Sequence, residues 1–238
     1  MSSLEGRVIA IAGAAGGLGP SVCRSLAAAG ASLALTDVAQ ERLDELTGEL
    51  ELPGERIDTR VVDLLDPDAT RSWASSIGER FGHVDGLLHL VGGWRGGDPL
   101  QSFDLADLDW LENLLFRTVV NSTRAFHDAL AESQHGRFVL VSSSQAQAPD
   151  AANAAYAATK AAAETWTLAL ADSFRAADCA ATANVLVVNA ILTPQMREQS
   201  PEKPFRSFTS AEDIAEAIAY LCSDAAAKMN GKRLALHP

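Results

Sequence analysis

Tyr156 and Lys160 stand four residues apart in Tyr156-Ala157-Ala158-Thr159-Lys160, inside an alanine-rich run. Helical spacing puts both side chains on one face, about one turn apart. A phenol beside an ammonium is a proton donor with its charge partner in place. The cation favours phenolate and draws the phenol from its usual pKa of about 10 towards working pH. The same spacing occurs on many solvated helix faces, so the pair acquires meaning only from what stands upstream. There, Ala12-Gly13-Ala14-Ala15-Gly16-Gly17-Leu18-Gly19 joins an apolar run to an amphipathic one. Glycines let a backbone turn sharply and approach a pyrophosphate, and the helix behind them offers free N–H groups and a positive dipole end. The spacing is G-x-x-x-G-x-G rather than the strict G-x-G-x-x-G.

Asp37 follows the next apolar run, 24 residues after Gly13. A carboxylate there accepts hydrogen bonds from adenosine ribose hydroxyls and repels a 2′-phosphate. No Arg or Lys stands at 12–19 or 36–39 to bind such a phosphate. The expected cofactor is therefore NAD(H), favoured over NADP(H). Asp63, after the third apolar run, is placed where the adenine edge would lie, or serves as a turn acid before Pro67.

The elements that must position these groups alternate. Strands are expected at Arg7–Ala12, Ala31–Thr36, Arg60–Val62, Gly86–Val91, Phe138–Val141, Asn184–Val188 and Arg233–Leu236. Helices are expected from about Pro20 to Ala29, Gln40 to Leu50, Asp68 to Phe81, Asp107 to Ala131, Ala155 to Ala177 and Ala211 to Cys222. Short buried strands alternating with amphipathic helices imply an α/β, doubly wound, Rossmann-type parallel sheet with helices on both faces. No linker or repeat divides residues 1–238, so one domain is expected, with ligands at the carboxyl ends of its strands.

Composition narrows the classes. With 31 acidic against 19 basic residues the net charge is −12, which argues against nucleic acid or an anionic membrane as partner. Cys23, Cys179 and Cys222 are odd in number and widely spaced, giving neither a disulfide framework nor a metal-ligand pattern. Met1–Gly6 lacks a basic-then-apolar signal, and no apolar run is long enough to span a bilayer. The expectation is a cytoplasmic protein acting on a small molecule.

Taken together, the chain resembles the short-chain dehydrogenase/reductase family over nearly its whole length. Gly13, Gly17 and Gly19 match its glycine motif, and Tyr156 and Lys160 match its Y-x-x-x-K. Val141-Ser142-Ser143 matches the strand-end serine motif, with Ser143 at the family's distance of 13 residues before Tyr156. Thr193-Pro194 matches the segment whose threonine touches the nicotinamide carboxamide. The resemblance implies catalysis by Tyr156 as general acid or base, Lys160 lowering its pKa and holding the nicotinamide ribose, and Ser143 polarising the substrate oxygen. It implies a cofactor site of Gly13, Ala15, Gly16, Gly17, Leu18, Gly19, Asp37, Asp63, Leu64, Val91, Gly92, Lys160 and Thr193. The 193–210 segment is expected to form a short lid over the substrate.

The departures are equally specific. His89-Leu90-Val91-Gly92 stands where the family has N-N-A-G, and Leu115 falls at the family's catalytic asparagine. On a regular helix Asn113 and Asn121 point roughly 200° and 240° away from Leu115, so neither is an obvious substitute. His89 and His83 are candidates for acid–base work by residue type, but His89 lies in an apolar run and is expected to be a core or cofactor-edge histidine. Gly92-Gly93-Trp94-Arg95-Gly96-Gly97 and Asp107-Leu108-Asp109-Trp110 resemble segments of dihydropteridine reductases, which reduce a flat quinonoid ring with NADH. In that alternative Trp94 stacks on the flat substrate; Ser143, which that branch need not carry, points with Tyr156 to ordinary carbonyl or alcohol chemistry, and Trp94, Ser143 and Tyr156 are the expected substrate contacts. A second alternative is a dinucleotide-binding sensor without catalysis. Family members pair through two long helices. A homodimer or homotetramer through 107–131 and 155–177 is expected, with surplus apolar surface at Ala161, Ala162, Trp166 and Leu170. The end at Leu236-His237-Pro238 lacks the glycine-ended tail of many relatives, an expectation against a second tetramer interface.

Overall fold

Apolar runs and amphipathic runs alternate in a computed structural model that describes residues 3–236. Met1, Ser2 and the terminal His237-Pro238 lie outside the described residues. The elements are β1 (Val8–Ala12), α1 (Gly19–Ala28), β2 (Ser32–Asp37), α2 (Gln40–Leu50), β3 (Ile57–Val61), α3 (Pro67–Phe81), β4 (Gly86–His89), α4 (Leu105–Glu112), α5 (Thr118–Glu132), β5 (Arg137–Ser143), α6 (Ala154–Ala176), β6 (Thr182–Val188), β7 (Ala190–Leu192), α7 (Pro194–Gln199), β8 (Phe208–Ser210), α8 (Ala211–Cys222) and β9 (Arg233–Ala235). Seven strands form one parallel sheet in the order β3-β2-β1-β4-β5-β6-β9. The order reverses beside β1, between β1 and β4, which opens a crevice at their carboxyl ends.

The strand period of two distributes the core. Ile9 and Ile11 of β1 pack with α1 and α8 on one face, whereas Val8, Ala10 and Ala12 pack with α3, α5 and α6 on the other. Both faces are covered, which is why the central strands read as unbroken apolar runs. β3 is the exception. It begins at Ile57, earlier than the expected Arg60, because it is an edge strand whose Asp58, Thr59 and Arg60 need not be apolar.

Three further differences bear on the site. The strand expected to reach Val91 ends at His89, after which Leu90 still donates to Ala12 O at 2.9 Å before the chain leaves the sheet. The helix expected as 107–131 begins at Leu105 and is interrupted at 113–117 by a π turn, in which Thr118 N–H bonds to Asn113 O. The segment expected as a lid holds α7 and β8, and β8 pairs in parallel with β7 just before that segment, a small sheet that the short runs did not disclose. The expected surplus at the paired helices is also smaller than anticipated: Leu170 is buried, and Trp166 is half-buried with its N–H on Thr123 Oγ1 at 2.9 Å. Among the described residues, no helix is long and apolar enough to cross a membrane, and no cluster of His, Cys, Asp or Glu could hold a metal ion.

Candidate active site

The turn after β1 is built by glycine in the strict sense. Gly13 has φ +79°, and a Cβ there would lie 2.8 Å from Val91 N. A Cβ on Gly19 would overlap the Ala14 carbonyl. The backbone of the turn is held by Gly13 and Ala14 N–H, both bonded to Thr36 O at 3.0 Å. α1 then starts at Gly19 with no side-chain cap and no acidic residue in its first turn. Gly19 N–H bonds to Gly16 O at 3.2 Å and Pro20 has none, so what the helix start offers an anion is its positive dipole end. Asp37, at the end of β2, accepts from Ala15 N at 3.0 Å and from Val38 N at 2.8 Å, which aims its carboxylate across the mouth of the turn. A cradle that no Cβ could enter, an uncapped helix and a fixed carboxylate together fit a dinucleotide.

On the other side of the crevice, α6 carries the phenol and the ammonium as its spacing requires. Lys160 is buried and donates from Nζ to Val141 O on β5 at 3.0 Å. Its Nζ lies 5.9 Å from the centre of the Tyr156 ring. Burial brings Lys160 down to about 8, opposed by the Glu164 carboxylate one turn on. Ser143 ends β5 and accepts from Gln145 N–H at 3.2 Å, which leaves its own O–H free to donate. The expectation for the phenol itself is reversed in the unliganded protein. Burial pushes Tyr156 up, and the hydroxyl of Ser143, not Lys160, is what pulls it back. Lys160 is engaged with a carbonyl, so its charge is not spent on the phenol.

One cleft of about 900 Å³ joins the two halves. Gly13, Gly16, Gly17, Leu18, Asp37, Asp63, Leu64, Val91, Gly92, Trp94, Ser143, Tyr156, Lys160 and Thr193 all line it. Of the expected site residues, Ala15 and Gly19 are not on its wall: Ala15 acts through its N–H to Asp37, and Gly19 through the room it leaves for Ala14. Arg42, Trp110, Asn113 and Asn153 line the cleft without having been expected. For Arg42 a signal existed, since the first turn of a helix starting at Gln40 returns over the end of β2.

The sequence profile described as short chain dehydrogenase matches residues 7–204. The chain belongs to the short-chain dehydrogenase family. It is similar to the 3-oxoacyl-(acyl-carrier-protein) reductase FabG of Thermotoga maritima, 30% identical over 96% of this chain and 95% of that one. It is also similar to dehydrogenase/reductase SDR family member 6 of Danio rerio, 28% identical over 97% and 96% of the two chains. Among solved structures, a short-chain dehydrogenase/reductase of Brucella melitensis superposes with a TM-score of 0.84 at 30% identity, covering 99% of this chain and 97% of that one. The protein is thus an oxidoreductase of the short-chain dehydrogenase type.

The half of the cleft that carries Tyr156 and Lys160 differs from expectation in its details. Leu115, at the place of the family asparagine, is 2% exposed and belongs to the wall of the core. The π turn places an extra residue in the helix and shifts its phase, so the regular-helix angles do not apply. Asn113 lines the cleft, away from the buried Leu115, while Asn121 is turned to the Leu64 carbonyl at 2.9 Å. The π turn also frees the Leu114 carbonyl from the ordinary ladder, and Thr118 Oγ1 donates to it at 2.7 Å. His89 Nε2 meets that same Thr118 hydroxyl at 3.1 Å. His89 is 1% exposed, and burial, with Lys160 adding to it, pushes it down to about 3. It is a neutral core histidine, as expected. The glycine-rich loop after β4 holds Trp94 out at 58% exposure, its N–H tied to Asn153 Oδ1 at 2.9 Å. Arg95 turns from the cleft to cover the Trp110 ring and pair with Asp107.

Proposed function

We propose that the protein transfers hydride between NAD(H) and a small carbonyl or alcohol, with Tyr156, Ser143 and Lys160 as its catalytic residues. The observation that carries this is the meeting of Ser143, Tyr156 and a buried Lys160 in the same cleft as an uncapped helix N-terminus and Asp37. A bound nicotinamide supplies or accepts the hydride. In reduction, Tyr156 gives its phenolic proton to the substrate oxygen, and burial keeps that phenol protonated at neutral pH. Ser143 donates the second hydrogen bond to the same oxygen and stabilises its developing charge. Lys160, anchored at Val141 O, has N–H donors left to hold the nicotinamide ribose hydroxyls. Asp37 takes the adenosine ribose hydroxyls and disfavours a 2′-phosphate; Arg42, on the cleft wall at that end, is a cation that favours it. With Leu115 apolar and buried, proton return to Tyr156 runs past Lys160 rather than through a side chain at position 115.

Among the described residues of the cleft wall the cations are Arg42, at the adenosine end, and Lys160. That lining favours an uncharged substrate. A flat quinonoid ring is the second reading, and it rests on the exposed Trp94 beside Trp110. Residues 193–210 close over the substrate as a short lid on a single domain, and α4–α5 with α6 form the surface for a homodimer or homotetramer in the cytoplasm. The decisive experiment is NADH oxidation against neutral ketones, quinones and a quinonoid pterin. Tyr156→Phe is expected to lose about 100-fold or more of kcat while NADH affinity holds. Tight NADH binding with no turnover of any of them would favour the sensor. Full activity in Tyr156→Phe would remove this mechanism.

A further inference from the structure

Glu164 stands one helical turn beyond Lys160 on α6 and is 5% exposed. A buried carboxylate requires a partner. The helix offers Lys160 itself, since a cation and a carboxylate at i,i+4 meet readily. The fold makes another choice. Glu164 Oε2 accepts from Arg233 Nε at 2.9 Å, across 69 residues of chain, and its Oε1 has no partner. Lys160 Nζ is left on the Val141 carbonyl, at the cleft wall. The same guanidinium reaches the Ser143 carbonyl from Nη2 at 3.4 Å. One side chain of the last strand therefore touches both the carboxylate behind Lys160 and the backbone of Ser143.

We propose that Arg233 is a positioning residue of the active site: it occupies Glu164, so that the Lys160 ammonium points into the cleft instead of folding back onto its own helix. The proposal rests on the role given above to Lys160. The charge balance supports it. The titratable groups around Lys160 are Tyr156 and Glu164 on α6, His89 on β4 and, through Glu164, Arg233 on β9. β5 and α5 contribute hydroxyls and carbonyls at Ser143, Val141 and Thr118. His89 is neutral, so Glu164 is the anion that keeps Lys160 charged against burial, and Arg233 sets how much of that anion Lys160 experiences. Arg233 lies at the register position opposite Val185, where a β-branched residue would serve the strand better.

The test reads Lys160 directly. In the full-length protein without cofactor, labelled with carbon-13 lysine, the Lys160 side-chain signal is titrated by NMR. Arg233→Met is expected to raise its midpoint and Glu164→Gln to lower it, each by about one pH unit. Arg233→Lys should restore the wild-type value, and the double variant should fall between the two singles. In turnover, the alkaline limb of kcat/KM moves in the same opposite directions. A purely structural brace would lower stability in both single variants without separating these midpoints. If Arg233→Met does not fold, Glu164→Gln and Arg233→Lys still decide. Midpoints that coincide in all variants, or move in one direction, overturn the proposal. That failure is distinct from failure of the proposed function, which is read from Tyr156→Phe at fixed pH.

Discussion

The two walls of the cleft are built on different principles. The wall formed by β1, α1 and β2 works through backbone: Gly13 at φ +79°, the uncapped start of α1, and one carboxylate, Asp37, tied to two main-chain N–H groups. The other wall, formed by β4, α4 to α6, β5 and β9, works through side chains anchored across long stretches of chain: Lys160 on the Val141 carbonyl, His89 on the Thr118 hydroxyl, Arg233 on the Glu164 carboxylate. A backbone device tolerates almost no change in its glycines and is written in a few adjacent residues. A side-chain device can be rebuilt from different residue types, as His89 and Leu115 show at places where the family has asparagine.

The largest test of this contrast is Gly19→Ala. Its Cβ would overlap the Ala14 carbonyl, so the whole turn must shift. NADH affinity is expected to fall at least ~100-fold, about 2.7 kcal/mol, by calorimetric titration. An affinity within threefold of wild type would show that the turn is more compliant than this geometry allows. Next comes His89→Asn on the other wall. Burial holds the native imidazole neutral down to about 3, whereas the unfolded chain takes up that proton near 6.5. The unfolded state therefore binds more protons in this window, and stability is lost as pH falls through it. Each pH unit crossed costs about 1.4 kcal/mol. Urea midpoints at roughly pH 4 and pH 7 should differ less in His89→Asn than in wild type; an equal difference would remove His89 from the account.

The smallest effects sharpen the question of the missing asparagine. Leu115→Asn restores the family residue into a buried apolar site. It should cost about 1–3 kcal/mol of stability without raising kcat. Asn113→Ala changes an exposed residue of the cleft wall and is expected to alter kcat/KM by only about threefold. A gain of activity in Leu115→Asn would mean that this wall is a degraded version of the family's rather than a rebuilt one.

Most of the fold was legible in local pattern. Period-two and buried strands, glycine spacing and the Tyr156–Lys160 interval depend on neighbours a few residues away. β3 was misread because an edge strand can carry Asp58 and Arg60. β7 and β8 were missed because three-residue strands carry no measurable period. The π turn at 113–117 went unread because it leaves no compositional mark.

By itself, then, the sequence determined the parallel sheet, the dinucleotide turn and the helical register that aligns a phenol with an ammonium. These follow from backbone sterics and from short-range periodicity. Only the tertiary structure decided the charge state of those groups. Burial, which raises Tyr156 and lowers Lys160, comes from elements distant in the chain. So does the choice of Arg233, rather than Lys160, as the partner of Glu164. Desolvation and ion pairing act through space, and which residues share that space is settled only when the sheet closes β9 against β6.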